Sequence, residues 1–466
     1  MSGLSRLEAE VERDLSRLQY PSQSWVPPRF NGEEKVFDVV IVGGGQCGLA
    51  VAFGLTLERV DNILILDANE SGFEGPWLNY ARMPTLRTDK VLTGLDFGIP
   101  SLTPQAWYEA EYGASEWEKI EKIPREDWQR YLNWFSRTLN LPIRSGCKVE
   151  RIEPSESGDL RIHVASREGS AQILARKVVL ATGMEGNGNL LVPGCVRALP
   201  KSRWAHAAEP IDFAALRGKR VAVLGSGASA FDNAAAALRK GAAQVSVLAR
   251  RETLPTINPA NWIQFSGFLC HFADMPECRR YEFLSQLFRH RQPATQAQYN
   301  YCVAQSNFSL RLGVDTDKIH GDEQSVRAPL GAENAVFDYL ISATGFEVNI
   351  DSRPELEFFK GKIALWSDRF TPEHPPANSA LARFPYLGGG FELIEKEAGC
   401  APALRHIHNF TFGAAASMGI TGGSITGIKY GSRRIVSALT RALFLDDLDL
   451  HYNNLLSYAE SELLFQ

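Results

Sequence analysis

At 466 residues the chain exceeds what one hydrophobic core usually serves, so two or three domains are expected. A formal net charge of −5 without any long basic block argues against a nucleic-acid footprint, and no run approaches the roughly 20 apolar residues of a membrane span. The stretch MSGLSRLEAEVERDLSRL is charged throughout, unlike a secretory signal, and the 7 cysteines form no C-x-x-C pair, so a reduced, cytoplasmic protein is expected.

Leu4, Leu7, Val11, Leu15 and Leu18 recur at helical spacing and predict an amphipathic helix over 3–18, broken by the Pro-rich stretch 20–28. Its polar face mixes Glu with Arg and is not strongly basic, which favours docking on the core over lying on a membrane. Residues 36–67 carry the strongest local signal. A β-rich apolar run over 36–42 leads into Gly43, Gly45 and Gly48 in G-x-G-x-x-G spacing, with Gln46 and Cys47 inside the turn. An Ala/Leu-rich helical pattern and a second apolar run follow, closed by Asp67 and Ala68. Each part serves a dinucleotide. Gly43 permits the turn, Gly45 admits a pyrophosphate, Gly48 lets helix pack on strand, and the helix N-terminus offers unpaired N–H groups to the phosphates.

The aromatic-, Gly- and Pro-rich segment after Asp67 is too long for a simple connection, and Trp77, Met83, Leu86 and Arg87 are its candidates to line a site. Over 104–139 the spacing of Trp107, Tyr108, Trp117, Trp128, Tyr131, Leu132 and Phe135 predicts helices with buried aromatic faces. Runs at 147–154, 160–166 and 172–180 predict a three-strand meander, with Val149 on its first strand as a further candidate contact. It leads into VVLATG, where Ala181, Thr182 and Gly183 keep the chain slim enough to pass a bound cofactor.

KRVAVLG at 219–225 opens a second strand–turn–helix–strand unit. Gly225, Gly227 and Ala230 give G-x-G-x-x-A, Ser226, Ala228 and Ser229 complete the turn, and Arg250 and Arg251 stand where the first unit has Asp67. A carboxylate there suits a free ribose 2′-hydroxyl, whereas guanidinium groups suit a 2′-phosphate through charge-assisted forks. The first site therefore reads as FAD's and the second as NADPH's, with a solvated arginine pair as the plainer alternative. Residues 337–346 repeat the strand-plus-ATG theme with Ala343, Thr344 and Gly345, and mark the expected return to the FAD domain. Between these, 255–332 carries Trp262, Phe265, Phe268, Phe272, Tyr281, Phe283, Leu287 and Phe288 and is expected to form a helical lid or substrate-facing subdomain. His271, His290 and Arg291 lie there without metal-ligand spacing, and the H-x-H pair at 406–408 has no further ligand at zinc spacing, so no metal site is expected. A Gly-rich stretch then gives way to a helix near Ser424, whose N-terminus suits the negative charge of a reduced flavin.

Together GGGQCG at 43–48, GSGASA at 225–230, the meander, the paired ATG strands and the Gly-rich helix start resemble the two-dinucleotide-domain flavoprotein monooxygenases: flavin-containing, Baeyer–Villiger and N-hydroxylating enzymes. The likeness spans roughly 36–440. It implies an α/β fold with two Rossmann-like dinucleotide-binding domains, for FAD and NADPH, of the glutathione-reductase-like type, plus a helical lid or substrate subdomain. The expected segments are 1–35 (N-terminal helix and linker), 36–203 (FAD domain, first part), 204–336 (NADPH domain, with a helical insertion at about 255–332) and 337–466 (FAD domain, second part, and C-terminal helices). The implied activity is reduction of FAD by NADPH, addition of O2 to give a C4a-hydroperoxide, and oxygenation of a small molecule at nitrogen or sulfur. A reductase or oxidase using the same cofactors without oxygen insertion is the alternative. Disulfide reductases share the plan but need a redox cysteine pair, which the sequence lacks. Of the monooxygenase fingerprint F-x-G-x-x-x-H only His206 remains, with Pro200 and Ser202 in the Phe and Gly places. The segment 83–93 is similar in spacing to one in which the N-hydroxylating enzymes hold substrate through a Lys followed by Asp; here the order is Asp89-Lys90. Lys90 and His206 are the two candidates for a substrate or catalytic role.

Overall fold

Strand Glu34–Val42 is buried at every residue from Asp38 to Val42, as a central parallel strand must be when both of its faces are covered. In this computed structural model, which describes residues 2–19, 23–92, 94–184, 186, 188–331, 333–372 and 379–463, it is the centre of an eight-stranded sheet. Ile63–Leu66 pairs with it in parallel on one side and Gly169–Leu180 on the other, and Ile407–Asn409 adds beyond the latter. The 12-residue strand Gly169–Leu180 does double duty. Its second half runs in the parallel sheet, while its first half pairs antiparallel with Leu160–Ser166, which in turn pairs with Lys148–Pro154. That is the meander read from the sequence.

Helix Gln46–Leu57 has no polar face and is buried throughout its first ten residues, sandwiched between the sheet and the long helix Ile425–Asp446. Gly54 permits that approach, since a Cβ there would meet Phe97 at 2.6 Å and Val436 at 2.7 Å. Helix Arg125–Thr138 sends Trp128, Tyr131, Trp134 and Phe135 into the core, where Phe135 meets Phe53 edge-on at 5.5 Å. The N-terminal helix Gly3–Leu18 docks through buried Leu7 and Val11, while Leu18 stays exposed. Residues 20–22 of the Pro-rich break and Thr93 lie outside the described residues. No helix among the described residues is long and apolar enough to cross a membrane.

The second sheet has five parallel strands in the order Phe308–Arg311, Gln244–Leu248, Arg220–Leu224, Tyr339–Ser342 and Trp204–His206. Two expectations are corrected here. Tyr339–Ser342 belongs to this second sheet, so the chain leaves it after 342 and not at 336; Phe346–Val348 then pairs with Gly188–Leu190 on the way back. Among the described residues the α-helices of the insertion at 255–332 end at Val303, and only the short turn Thr316–Lys318 is helical beyond it. Its last helix, Gln296–Val303, packs on helix Ala228–Arg239 through buried Cys302 and through Tyr299, 5.7 Å from Phe231, so it completes the nucleotide unit and is no lid. Phe308–Arg311 returns to the sheet, and Val326–Leu330 pairs antiparallel with Glu333–Phe337 around Gly331, at φ +72°. Alternation of two residues, not helical spacing, governs that hairpin.

Candidate functional site

The two nucleotide turns share one steric design. Gly43 has φ 109°, and a Cβ on it would lie 2.6 Å from the Ala181 carbonyl oxygen. Gly225 has φ 141°, and a Cβ on it would lie 2.5 Å from the Ala343 carbonyl oxygen. Each A-T-G segment thus passes its alanine carbonyl across a glycine turn with no room for a side chain. Gly48 is buried beneath the first turn, where a Cβ would fall 1.9 Å from the Gly43 oxygen. The buried Asp67 carboxylate accepts from Gly44 N–H on one oxygen and Asn69 N–H on the other, both at 2.7 Å. A carboxylate has about four acceptor sites, so capacity is left for ribose hydroxyls.

A cleft of about 1780 Å³ joins the two turns. Every residue assigned above to either nucleotide lines it, from Gly43 and Ala68 to Val149 and Gly345, except Gly48 and Ala230, which are buried behind the two turns. Among the described residues Trp77 Nε1 and Thr182 Oγ1, buried in its wall, have no hydrogen-bond partner, a costly state for a polar atom unless a ligand completes it. The turn, the acid and these orphaned atoms fit a bound FAD. Among the described residues no side chain caps the helix Ile425–Asp446 at Ser424, and Gly423 to Thr426 line the cleft, so the positive helix end is presented there.

On the other side, Arg291 joins Arg250 and Arg251. Burial first, then the two neighbouring guanidinium groups, pull its pKa down. None of the three is ion-paired with a carboxylate among the described residues, so the cluster is an uncompensated cation site suited to a phosphate dianion. The sequence shows Arg291 some forty positions from the pair, and no spacing rule connects them. Phe384 and Phe412 also escaped the sequence reading, and they meet Phe288 of the stretch expected to face the substrate. Their ring centroids lie 5.9 to 6.0 Å apart pairwise, they line the cleft, and Phe412 abuts Gly423 at the helix start.

The two catalytic candidates fare differently. His206 lines the cleft and is buried; its Nδ1 accepts from Ala208 N–H at 3.2 Å, and burial pulls its pKa down against the opposing pull of the Gly345 backbone and Glu209. It is a neutral imidazole at pH 7, edge-on to Phe346 at 5.9 Å. Lys90 is not brought to the cleft. Its Nζ donates to the Trp117 carbonyl at 2.5 Å and lies 4.9 Å from that indole ring, which accounts for the charge without a substrate.

The FAD-dependent urate hydroxylase of Xanthomonas campestris pv. campestris is 41% identical over 470 residues, covering 99% of this chain and 98% of that protein. The chain belongs to the flavoprotein monooxygenases. It is a flavin-dependent oxidoreductase. The pyridine nucleotide-disulphide oxidoreductase family also matches residues 40–265, which carry both nucleotide turns. Ornithine hydroxylase from Pseudomonas aeruginosa shares the fold of this flavoprotein monooxygenase, with a TM-score of 0.69 at 18% identity over 88% of this chain and 100% of that one. So does the ornithine N-hydroxylase of Kutzneria sp. 744, solved with reduced FAD, NADP+ and L-ornithine, at TM-score 0.69 and 16% identity over 87% and 99% of the two chains. All the cysteines of this monooxygenase are free thiols.

Proposed function

We propose that the protein is an NADPH-dependent FAD monooxygenase, acting in the cytoplasm, whose acceptor is a small, flat, electron-rich heterocycle of the urate class. Its cofactors are FAD and NADPH. The observation that carries the acceptor is the aromatic wall of Phe288 and Phe412, backed by the buried Phe384, beside the Gly423–Thr426 helix start, which suits a planar ligand. The 41% identical urate hydroxylase supports the same chemical class.

In this reading the Gly43–Gly48 turn and the start of helix Gln46–Leu57 take the FAD pyrophosphate, and Asp67 accepts from its ribose. Arg250, Arg251 and Arg291 hold the NADPH 2′-phosphate, while the Gly225–Ser229 turn takes the pyrophosphate. FAD held by these residues and reduced by NADPH would supply the activation of O2, one oxygen atom going to the acceptor and the other to water. The start of helix Ile425–Asp446 would lend positive potential to the negative charge of a reduced flavin bound in the cleft. The phenylalanine wall orients the acceptor and keeps water out. No side chain is needed as nucleophile, which fits the neutral imidazole of His206 in the cleft.

The test is NADPH oxidation by the purified holoenzyme over urate, other oxopurines, amines, amino acids and sulfides, with product mass read for the gain of one oxygen. Urate-class turnover is expected. Oxygen gain on an amine or sulfide would move the acceptor to the nitrogen or sulfur class expected from the sequence. Peroxide formation with every acceptor returned unchanged would establish the reductase or oxidase alternative.

A further inference from the structure

We propose that Arg87 and Asp232 form a positioning latch that holds the NADPH-binding unit against the FAD-binding unit at the separation hydride transfer requires; the proposal rests on the assignment of the two sites given above. Arg87 lies on the connection that leaves Asp67, in the first unit. Asp232 lies on helix Ala228–Arg239, directly after the second glycine turn. Arg87 Nη2 donates to Asp232 Oδ2 at 2.5 Å. The other carboxylate oxygen accepts from Gln298 Nε2 at 3.1 Å, and Gln298 Oε1 accepts from Arg239 Nη2 at 2.9 Å.

The asymmetry of burial gives this contact its force. The Asp232 side chain is only 5% exposed, whereas Arg87 is 33% exposed. Among the described residues Arg87 is the only cation ion-paired to Asp232, and it comes from the other nucleotide unit. If the units part, a buried carboxylate loses its counter-charge, which is strongly unfavourable. The closed arrangement is therefore held by the cost of the open one.

A second arginine of the same segment points the same way. Arg82 donates to the Glu209 carbonyl oxygen at 3.3 Å and lies 5.4 Å from the Phe213 ring, both in the second unit, while its Nη1 donates to Asn79 O at 2.8 Å in its own. The segment 82–87 thus grips the second unit at two places, and both arginines line the cleft. Asp232 sits one turn beyond the helix start that takes the NADPH pyrophosphate, so the element carrying the cofactor is the element being tethered. A displacement of about 1 Å between reacting groups costs on the order of a hundredfold in rate, which makes this tether matter more for rate than for affinity.

The test compares Arg87→Gln, Asp232→Asn, the double variant and the conservative Arg87→Lys. In holoenzyme mixed anaerobically with NADPH, each neutral single variant should lose at least tenfold in limiting flavin-reduction rate, with the apparent NADPH Kd within threefold and FAD content unchanged. The double variant should lose no more than the worse single, and Arg87→Lys should recover part of the rate. A second readout needs no turnover. In thermal unfolding of the apoprotein the two neutral substitutions should be non-additive, with the double variant close to the single ones. Wild-type reduction rates in the single variants, a loss confined to Kd, or additive losses in either readout would overturn the latch. Wild-type protein that takes up FAD but is not reduced by NADPH would instead overturn the function proposed above. In that event the apoprotein cycle still decides the latch: additivity overturns it, and coupling sustains the tether between the units.

Discussion

The arginine cluster yields the most quantitative expectation. Substituting Arg291→Ala, alone and together with Arg250→Ala and Arg251→Ala, removes one or three guanidinium groups from a site where they face each other without a carboxylate among the described residues. A hydrogen bond to a charged group contributes about 1.5–3 kcal/mol, and Arg291 is only half-buried, so the low end applies to the single variant. That corresponds to a roughly tenfold to thirtyfold rise in the NADPH Michaelis constant. The triple variant should lose about a hundredfold or more. NADH has a hydroxyl where NADPH has the phosphate, so its constant should change by less than about threefold. Because burial and its two neighbours already disfavour the Arg291 cation, the unliganded protein should keep or slightly raise its melting temperature on Arg291→Ala. Linkage gives a second number. At NADP+ a hundredfold above the wild-type Kd, binding stabilises wild type by about 2.7 kcal/mol, whereas a variant thirtyfold weaker gains only about 0.9 kcal/mol. Steady-state kinetics with both nucleotides at fixed ionic strength, and thermal shifts with and without NADP+, check both. Equal losses for NADPH and NADH would refute phosphate recognition, as would a lower apo melting temperature with an undiminished NADP+ shift.

Gly48→Ala should yield protein with well under half the wild-type FAD content, because its Cβ would fall 1.9 Å from the Gly43 oxygen and push the phosphate turn aside; a fully yellow, equally stable variant would count against that packing. Stability against pH should show two opposing groups. Asp38, raised from 3.8 to about 6 by burial despite Arg176, takes up its proton more readily when folded, so its contribution falls as pH rises from about 4 to about 6. His406, lowered from 6.5 to about 4 by burial and then by Lys177 and Arg405, gives a contribution that rises over pH 4 to 6.5. Wild type should thus be flat near pH 5, Asp38→Asn should gain melting temperature as pH rises, and His406→Asn should lose it; three parallel curves would remove the case. Lys90→Ala should leave kcat and Michaelis constants unchanged and cost about 1 kcal/mol or less of stability, since only a carbonyl hydrogen bond and a half-exposed cation–π contact are lost; a loss of turnover at unchanged stability would return it to the site.

The sequence by itself determined the two nucleotide turns, the meander, the buried aromatic helix and the helix start at Ser424. Each of these is governed by sterics and hydrogen bonding between residues close along the chain, and glycine at Gly48, where a Cβ would meet the Gly43 oxygen, records such a constraint directly. It also carries the proposed separation of FAD from NADPH, because Asp67 and the Arg250–Arg251 pair occupy equivalent ends of local units. Only the tertiary structure decided what those units face. Arg291 reaches the arginine pair, Phe288 meets Phe384 and Phe412, Arg87 turns from the flavin side to Asp232, and strand Tyr339–Ser342 joins the second sheet, all through contacts between segments far apart in sequence. Such contacts depend on how long connections cross a finished fold, and no periodicity or spacing along the chain encodes that crossing.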